Sequence, residues 1–377
     1  MPLEPRQAYI GLNMIGLLGP VRVRALIEAL GSPEAVFSAA VTELEGVPGI
    51  GGKLARHIAA RREAVDPAAE EDRARALRAW IITPLDPEYP PALKAIHDPP
   101  LALYGRGALE PRDQHAIAIV GSRHCTYYGK SAADLFAFQL AQAGYTVVSG
   151  LARGIDTAAH QGALKARGRT LAVLGGALDK LYPPENEALA EQTPAGQGAV
   201  LSEYVLGREP DRTTFPYRNR VISGLSRGVL VAEAPLRSGA LQTTSAAADQ
   251  NRQVFAVPGR IDHPASAGCH RLIQDGAKLV TCLDDILEEF DALWARTERQ
   301  PAAAGDRKRP DENLSPAEAA LVQALGAEEQ DVDELIRASG LNAGQVNTAL
   351  TLLQMKAIVH TLPGGRFGLA VRRGDLA

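Results

Sequence analysis

Between Ile117 and Gly259 the chain reads IAIVGSR, VVSGLARGIDTAAH, LAVLGG, FPYRNR, VLVAEA and VFAVPG, each beginning with or lying beside a short Val/Ile/Leu/Ala run. Apolar runs of that length suit strands covered on both faces, and hence an open, largely parallel α/β sheet. Ligands of such sheets bind in the crevice outside the carboxyl ends of the strands. That edge carries Gly121, Ser122, Arg123, Gly150, Arg153, Gly154, Gly175, Gly176, Glu233 and Gly259. Glycine lets a ligand approach the backbone, and arginine offers a forked cation that matches phosphate. The edge is expected to hold an anion.

At 377 residues the chain is too long for one small core, so two or three domains are expected. The net charge is only −4, and acids and bases balance over 112–290. A polyanion site must therefore be a local cluster rather than a global field. The three cysteines, Cys125, Cys269 and Cys282, have no CxxC spacing, which argues against a disulfide framework or a zinc site. No apolar stretch reaches the ~20 residues that span a bilayer, and the first residues lack a signal-peptide pattern. A soluble cytoplasmic protein without metal or cofactor is expected.

Residues 1–66 read as a helical domain. Its sharpest piece, LEGVPGIGGKLARHIAARR, resembles a helix-hairpin-helix. The turn around Gly49 and Gly51 exposes amides at a helix start, where a phosphate fits beside Lys53. The same glycines equally serve a plain bundle turn, so DNA contact there is a secondary expectation. Residues 67–111 are a connector packing onto the core, and 112–296 the α/β core, with helices expected over 129–143, 155–167, 217–226, 238–250 and 283–294. A linker is expected over 297–313, and a winged-helix-like order over 314–377 with a hairpin about Gly364-Gly365. Its recognition helix, NAGQVNTALTLLQMK, has one lysine and no arginine, a weak anchor on DNA.

Several familiar signals are incomplete. Gly129-Lys130-Ser131 ends like a phosphate-binding P-loop, but His124 stands where the first glycine is required. No GxGxxG follows the first core strand, which argues against a dinucleotide. His124, His160, His263 and His270 form no ligand pair. What remains is a set of arginines, Arg123, Arg212, Arg218, Arg220 and Arg237, interleaved with Phe215, Tyr217 and Tyr127. Single strands are held that way, phosphates on cations and bases on rings. Arg218 and Arg220 are instead expected to pair with Glu203 or Glu233 inside the domain.

Taken together, IAIVGSR, SGLARGIDTAAHQGAL, LAVLGGALDKLYPPEN, LSEY, FPYRNRVISGLSRGVLVAEA, RSGAL, VFAVPG and GCHRLIQDGAKLV resemble the DNA-processing protein A (DprA/Smf) family over roughly 80–290. The resemblance implies an extended Rossmann-like core, flanked by an N-terminal SAM/helix-hairpin-helix-like domain and a C-terminal winged-helix-like domain. It further implies a homodimer that is not an enzyme, binds single-stranded DNA, protects it and loads RecA onto it during natural transformation. By motif, the site residues would be Arg123, Arg212, Phe215 and Arg237. The strand-end residues Gly121, Ser122, Gly150, Arg153 and Gly154 join them. One departure from the family pattern follows Tyr182-Pro183, where some relatives place a lysine and this chain has Pro184 and Glu185, which is expected to weaken phosphate attraction locally. A competing reading is a nucleotide-processing, phosphoribohydrolase-like enzyme using Glu233 or Glu203. The chain lacks the PGGxGTxxE signature of that group.

Overall fold

A computed structural model of the chain describes residues 3–195, 198–291, 314–325, 330–355, 358–362 and 366–369. The chain divides into two compact units, Met1–Gln300 and Pro301–Ala377. The first opens with helices α1 (Pro5–Met14), α2 (Pro20–Leu30), α3 (Ala35–Ser38), α4 (Val41–Glu45) and α5 (Gly52–Arg62). Proline near the start of α1 and α2 costs no helical hydrogen bond, and Gly31 ends α2 at φ 92. Leu12, Leu26, Leu44, Ile50 and Ile58 close a small core. Helix α1 also docks on the sheet. Ile10 packs with Tyr104 and Ala172, and Asn13 donates to the Glu203 carbonyl at 3.0 Å.

The connector does more than pack against the core. Between and beside α6 (Pro67–Ala76) and α7 (Pro91–Lys94) it supplies strands β1 (Trp80–Ile82) and β2 (Leu103–Gly107). The elements that follow are β3 (Ala116–Gly121), α8 (Tyr127–Gln142), β4 (Thr146–Ser149), α9 (Ile155–Lys165) and β5 (Thr170–Val173). Next come α10 (Glu187–Ala195), β6 (Ala199–Ser202), α11 (Thr214–Gly224), β7 (Gly228–Glu233) and α12 (Ala240–Asp249). The unit continues through β8 (Gln253–Ala256), α13 (Ala267–Gln274), β9 (Lys278–Leu279) and α14 (Asp284–Asp291). All five helices expected in the core are present, with ends shifted by a few residues; α10 and α13 were not anticipated.

The nine strands form one sheet in the order β1-β2-β6-β5-β4-β3-β7-β8-β9. Pairings β1–β2 and β2–β6 are antiparallel and the rest are parallel. Alternate residues explain why these runs are apolar throughout. Ile117 and Ile119 face the α8, α9 and α14 layer, while Ala118 and Val120 join the opposite cluster with Val221 and Ala247. Strand order runs outward from β3 to β6 on one side and from β7 to β9 on the other. The switch point therefore lies between β3 and β7, where such sheets open a crevice.

The second unit contains α15 (Pro316–Leu325), α16 (Val332–Ser339), α17 (Ala343–Met355) and the antiparallel hairpin β10 (Val359–Leu362) and β11 (Arg366–Leu369). Leu321, Leu335, Leu350, Leu353 and Val359 form its core. This is the expected winged-helix order. The expected linker 297–313 and the hairpin tip Gly364-Gly365 lie outside the described residues.

Candidate nucleic-acid interface

An open cleft of about 840 Å³ lies at the carboxyl ends of β3 and β7. Three segments build it: the turn after β3, the entrance of α11, and the loop from β7 into α12. They bring Gly121, Ser122, Arg123, Arg212, Phe215 and Arg237 to one space, although Arg123 and Arg237 are 114 residues apart in sequence. The Arg123 guanidinium sits 4.7 Å from the Phe215 ring centroid, within cation–π range. Phe215 in turn lies 5.8 Å from Tyr182, and the Arg153 guanidinium 5.5 Å from the Tyr182 ring. A cation, two rings and a second cation thus form a run of neighbours along the edge. Gly175 makes room for this, because a Cβ there would meet the Phe215 ring at 2.5 Å.

Local hydrogen bonds fix the segments. The Ser122 amide donates to the Glu233 carbonyl at 2.8 Å, and the Ser122 hydroxyl accepts from the His124 amide at 3.1 Å, so the turn projects Arg123 outward. At the α11 entrance the Asp211 carboxylate accepts from the Thr213 and Thr214 amides at 2.7 and 3.0 Å. Those donors, led by the Thr213 hydroxyl, hold its carboxyl well below the usual carboxylate range. Four arginines line the cleft against two carboxylates, Asp156 and Asp211. Asp156 is buried and accepts from the Gly150 and Ala152 amides. Arg123, Arg212 and Arg237 are exposed, and none of them forms an ion pair among the described residues.

Other expected residues are placed differently. Gly150 lies beneath the Arg218 guanidinium rather than on the cleft wall. Gly154, at φ 77, starts α9 against the Ser122 and Arg123 carbonyls, where any side chain would be both strained and crowded. Arg153 is bound to Glu185 by a bidentate pair at 2.7 and 3.0 Å. Gly49 and Gly51 lie in the turn before α5 and Lys53 in the first turn of that helix, and none of the three lines this cleft. Beside that turn Arg56 pairs with Glu45, and Arg62 caps carbonyls of Val36 and Ala39.

Arg218 and Arg220 lie inside α11, not at its start. Arg220 pairs with Glu203 as expected, at 2.6 Å, and stacks on Tyr217. Arg218 does not pair with a carboxylate; it donates to the carbonyls of Gly150 and Val173. Glu233 is bound by the Thr126 amide and hydroxyl, capping α8. Neither Glu203 nor Glu233 lines the cleft. Sequence reasoning did not single out Tyr182. The available signal was an aromatic residue in the loop that follows the Gly175-Gly176 turn of β5, six positions on.

Beneath the floor lies a buried layer of Arg218, Asp156 and His160. Burial pushes the Arg218 pKa down to about 10, with Asp156 opposing, so it stays charged at neutral pH. The Thr170 hydroxyl donates to the Val147 carbonyl at 2.8 Å, so its 2.7 Å contact with His160 Nδ1 requires Nδ1 to carry the proton. Nε2 has no partner, and burial lowers the His160 pKa from 6.5 to about 3. Below pH 6.5 the unfolded chain gains a proton that the folded chain refuses, so stability is lost as pH falls toward 3. Between pH 7 and 5 the wild type is expected to lose about 2 kcal/mol more than His160→Leu, measured by chemical unfolding at both pH values. Parallel losses in the two proteins would show that His160 is not the group responsible.

The three cysteines are free, and no metal-ligating cluster occurs among the described residues. No described helix is long and apolar enough to cross a membrane.

Fold and cleft define a Rossmann-like α/β protein with a basic, aromatic-lined strand edge, in a chain that also carries helix-hairpin-helix and winged-helix modules. The family profile of DNA recombination-mediator protein A matches residues 80–291. A SAM-like helix-hairpin-helix tandem matches 11–62, and the DprA winged helix domain matches 305–365. The chain belongs to the DNA-processing protein A (DprA/Smf) family. Protein Smf of Synechocystis sp. is 34% identical over 391 residues, covering 96% of this chain and 98% of the relative. Protein Smf of Escherichia coli is 41% identical, covering 75% and 76%. The X-ray structure of DNA processing protein A from Streptococcus pneumoniae superposes with a TM-score of 0.65 at 36% identity, covering 77% of this chain and 99% of that one. A structure of the Helicobacter pylori protein, described by its single-stranded DNA binding mode, has a TM-score of 0.52 at 29% identity over 58% and 98%.

Proposed function

We propose that this chain binds single-stranded DNA along the cleft at the β3/β7 switch point and mediates its delivery to a recombinase. Arg123, Arg212 and Arg237 take phosphates, Phe215 stacks a base, and the Gly121-Ser122 backbone lets the strand approach. Arg153, with Gly150 and Gly154 shaping the floor below, extends the same edge. The observation that carries this reading is the Arg123 guanidinium over Phe215, with two further unpaired arginines in the same cleft. The Helicobacter relative's single-stranded DNA binding supports it. Gly49, Gly51 and Lys53 supply a second, weaker phosphate contact. The protein acts as a cytoplasmic homodimer that protects incoming strands and loads RecA during natural transformation. No catalytic step is assigned, since the carboxylates an enzyme would use are bound elsewhere, by Arg220 and Thr126.

Titration of labelled single- and double-stranded oligonucleotides over a range of salt tests this. Single strands should bind more tightly. Log affinity should fall with log salt at a slope of roughly −2, as three phosphate contacts at about −0.7 each require. Absent binding, or binding indifferent to salt, would overturn the assignment. Light scattering checks the dimer, and RecA filament assembly with and without the protein checks delivery.

A further inference from the structure

Beside Tyr182 stands one more guanidinium, that of Arg153, and there the charge is already taken. Arg153 donates to Glu185 through Nη2 at 2.7 and 3.0 Å and through Nε at 3.2 Å, and to the Tyr182 hydroxyl at 3.2 Å. A carboxylate gripped this way occupies the fork that a phosphate would use. We propose that Glu185 is a displaceable latch on the strand groove. In this arrangement Arg153, the fourth exposed cation of the edge, accepts a phosphate only on releasing Glu185, which thereby sets how far along the groove a strand binds. The inference rests on the cleft being a single-strand groove.

Three observations support it. Arg153 and Glu185 are 44% and 61% exposed, and an ion pair in solvent at that level is weak enough for a phosphate to displace. The pair is also not needed to hold its two loops together. The buried Asn186 amide next to Glu185 donates to the Leu151 carbonyl and the Thr157 hydroxyl, both at 2.8 Å, pinning the Pro184–Asn186 turn to the start of α9. Finally, the latch is charged at neutral pH. The carboxyl of Glu185 is held below the usual range, first by its own backbone amide and then by Arg153.

Exchange of Glu185 for a phosphate frees no additional cation charge, whereas removal of the carboxylate does. The test compares wild type, Glu185→Gln, Arg153→Ala and the double variant by titration of a fluorescent oligothymidylate at several salt concentrations. Glu185→Gln is expected to bind about three- to tenfold more tightly at low salt, with a salt slope steeper by about 0.7. With Arg153→Ala in place, the Glu185→Gln change should leave the slope unaltered. An equal gain and an equal steepening in both backgrounds would overturn the latch, because Glu185 would then act by repulsion alone. An Arg123→Ala control separates the two ideas: if it binds like wild type, the groove assignment fails, whatever Glu185 does.

Discussion

Replacing Arg123 by alanine is expected to weaken single-stranded oligonucleotide binding by about ten- to a hundredfold while leaving the fold intact. The side chain is exposed, carries no ion pair among the described residues, and touches the protein chiefly through the face of Phe215. Its loss costs folding little. A charge-assisted hydrogen bond to phosphate contributes about 1.5–3 kcal/mol, and each 1.4 kcal/mol is a tenfold change in affinity. Phe215 should also lose the cation that holds its ring in place. Arg212→Glu, in the same cleft, should weaken binding at least as much, because it inserts repulsion as well as removing a contact. Fluorescence anisotropy gives the affinities, and circular dichroism confirms the fold. Binding by both variants within twofold of wild type would remove the groove as the site.

The largest stability effect is expected at Arg220, a residue that never meets the strand. Its guanidinium bridges Glu203 at 2.6 and 3.1 Å and Asp98 at 2.8 Å, and stacks 4.0 Å over Tyr217. Glu203 is 7% exposed. Burial pushes its carboxyl up and Arg220 pulls it back down, so without Arg220 the carboxylate stands desolvated and unpaired. Arg220→Ala should cost about 3–5 kcal/mol, as breaking one side of a buried pair does. Removing Glu203 as well should restore part of the loss, because an absent pair is cheaper than a broken one. Denaturant unfolding of wild type, both single variants and the double variant measures this coupling. A single-variant cost below about 1 kcal/mol would show that the pair does not hold α11 in place. The network ties α11 to the end of β6 and to the connector, and α11 carries Phe215 into the cleft. On the proposed reading, Arg220 would support binding at a distance and Arg123 by contact.

Most of the architecture was legible in one dimension. The strand runs that became β3, β4, β5, β7 and β8 each carry consecutive apolar residues because both sheet faces are covered, and that signal is local. The helices between them show in their spacing, as does the helix-hairpin-helix turn. The strands β1 and β2 were not legible, because WII is only three residues long, LYGRG mixes glycines with an arginine, and both owe their place to antiparallel pairing, β1 with β2 and β2 with the distant β6. At the site, the exposed arginines and Phe215 were readable from residue type beside strand ends. The fates of Arg218 and Arg153 were not. One is buried and donates to carbonyls of β5 and the loop after β4; the other is captured by an acid 32 residues away.

The sequence by itself determined most of the segments that become strands and helices of the core, and that the strand ends would carry glycine and arginine. Those properties follow from side-chain volume, periodicity and backbone freedom over a few neighbouring residues. Only the tertiary structure decided which arginines face solvent without a partner, which lie buried or paired, and that Tyr182 stands beside Phe215. A charge is committed or free according to what long-range packing brings within hydrogen-bond reach, and no local pattern encodes that distance.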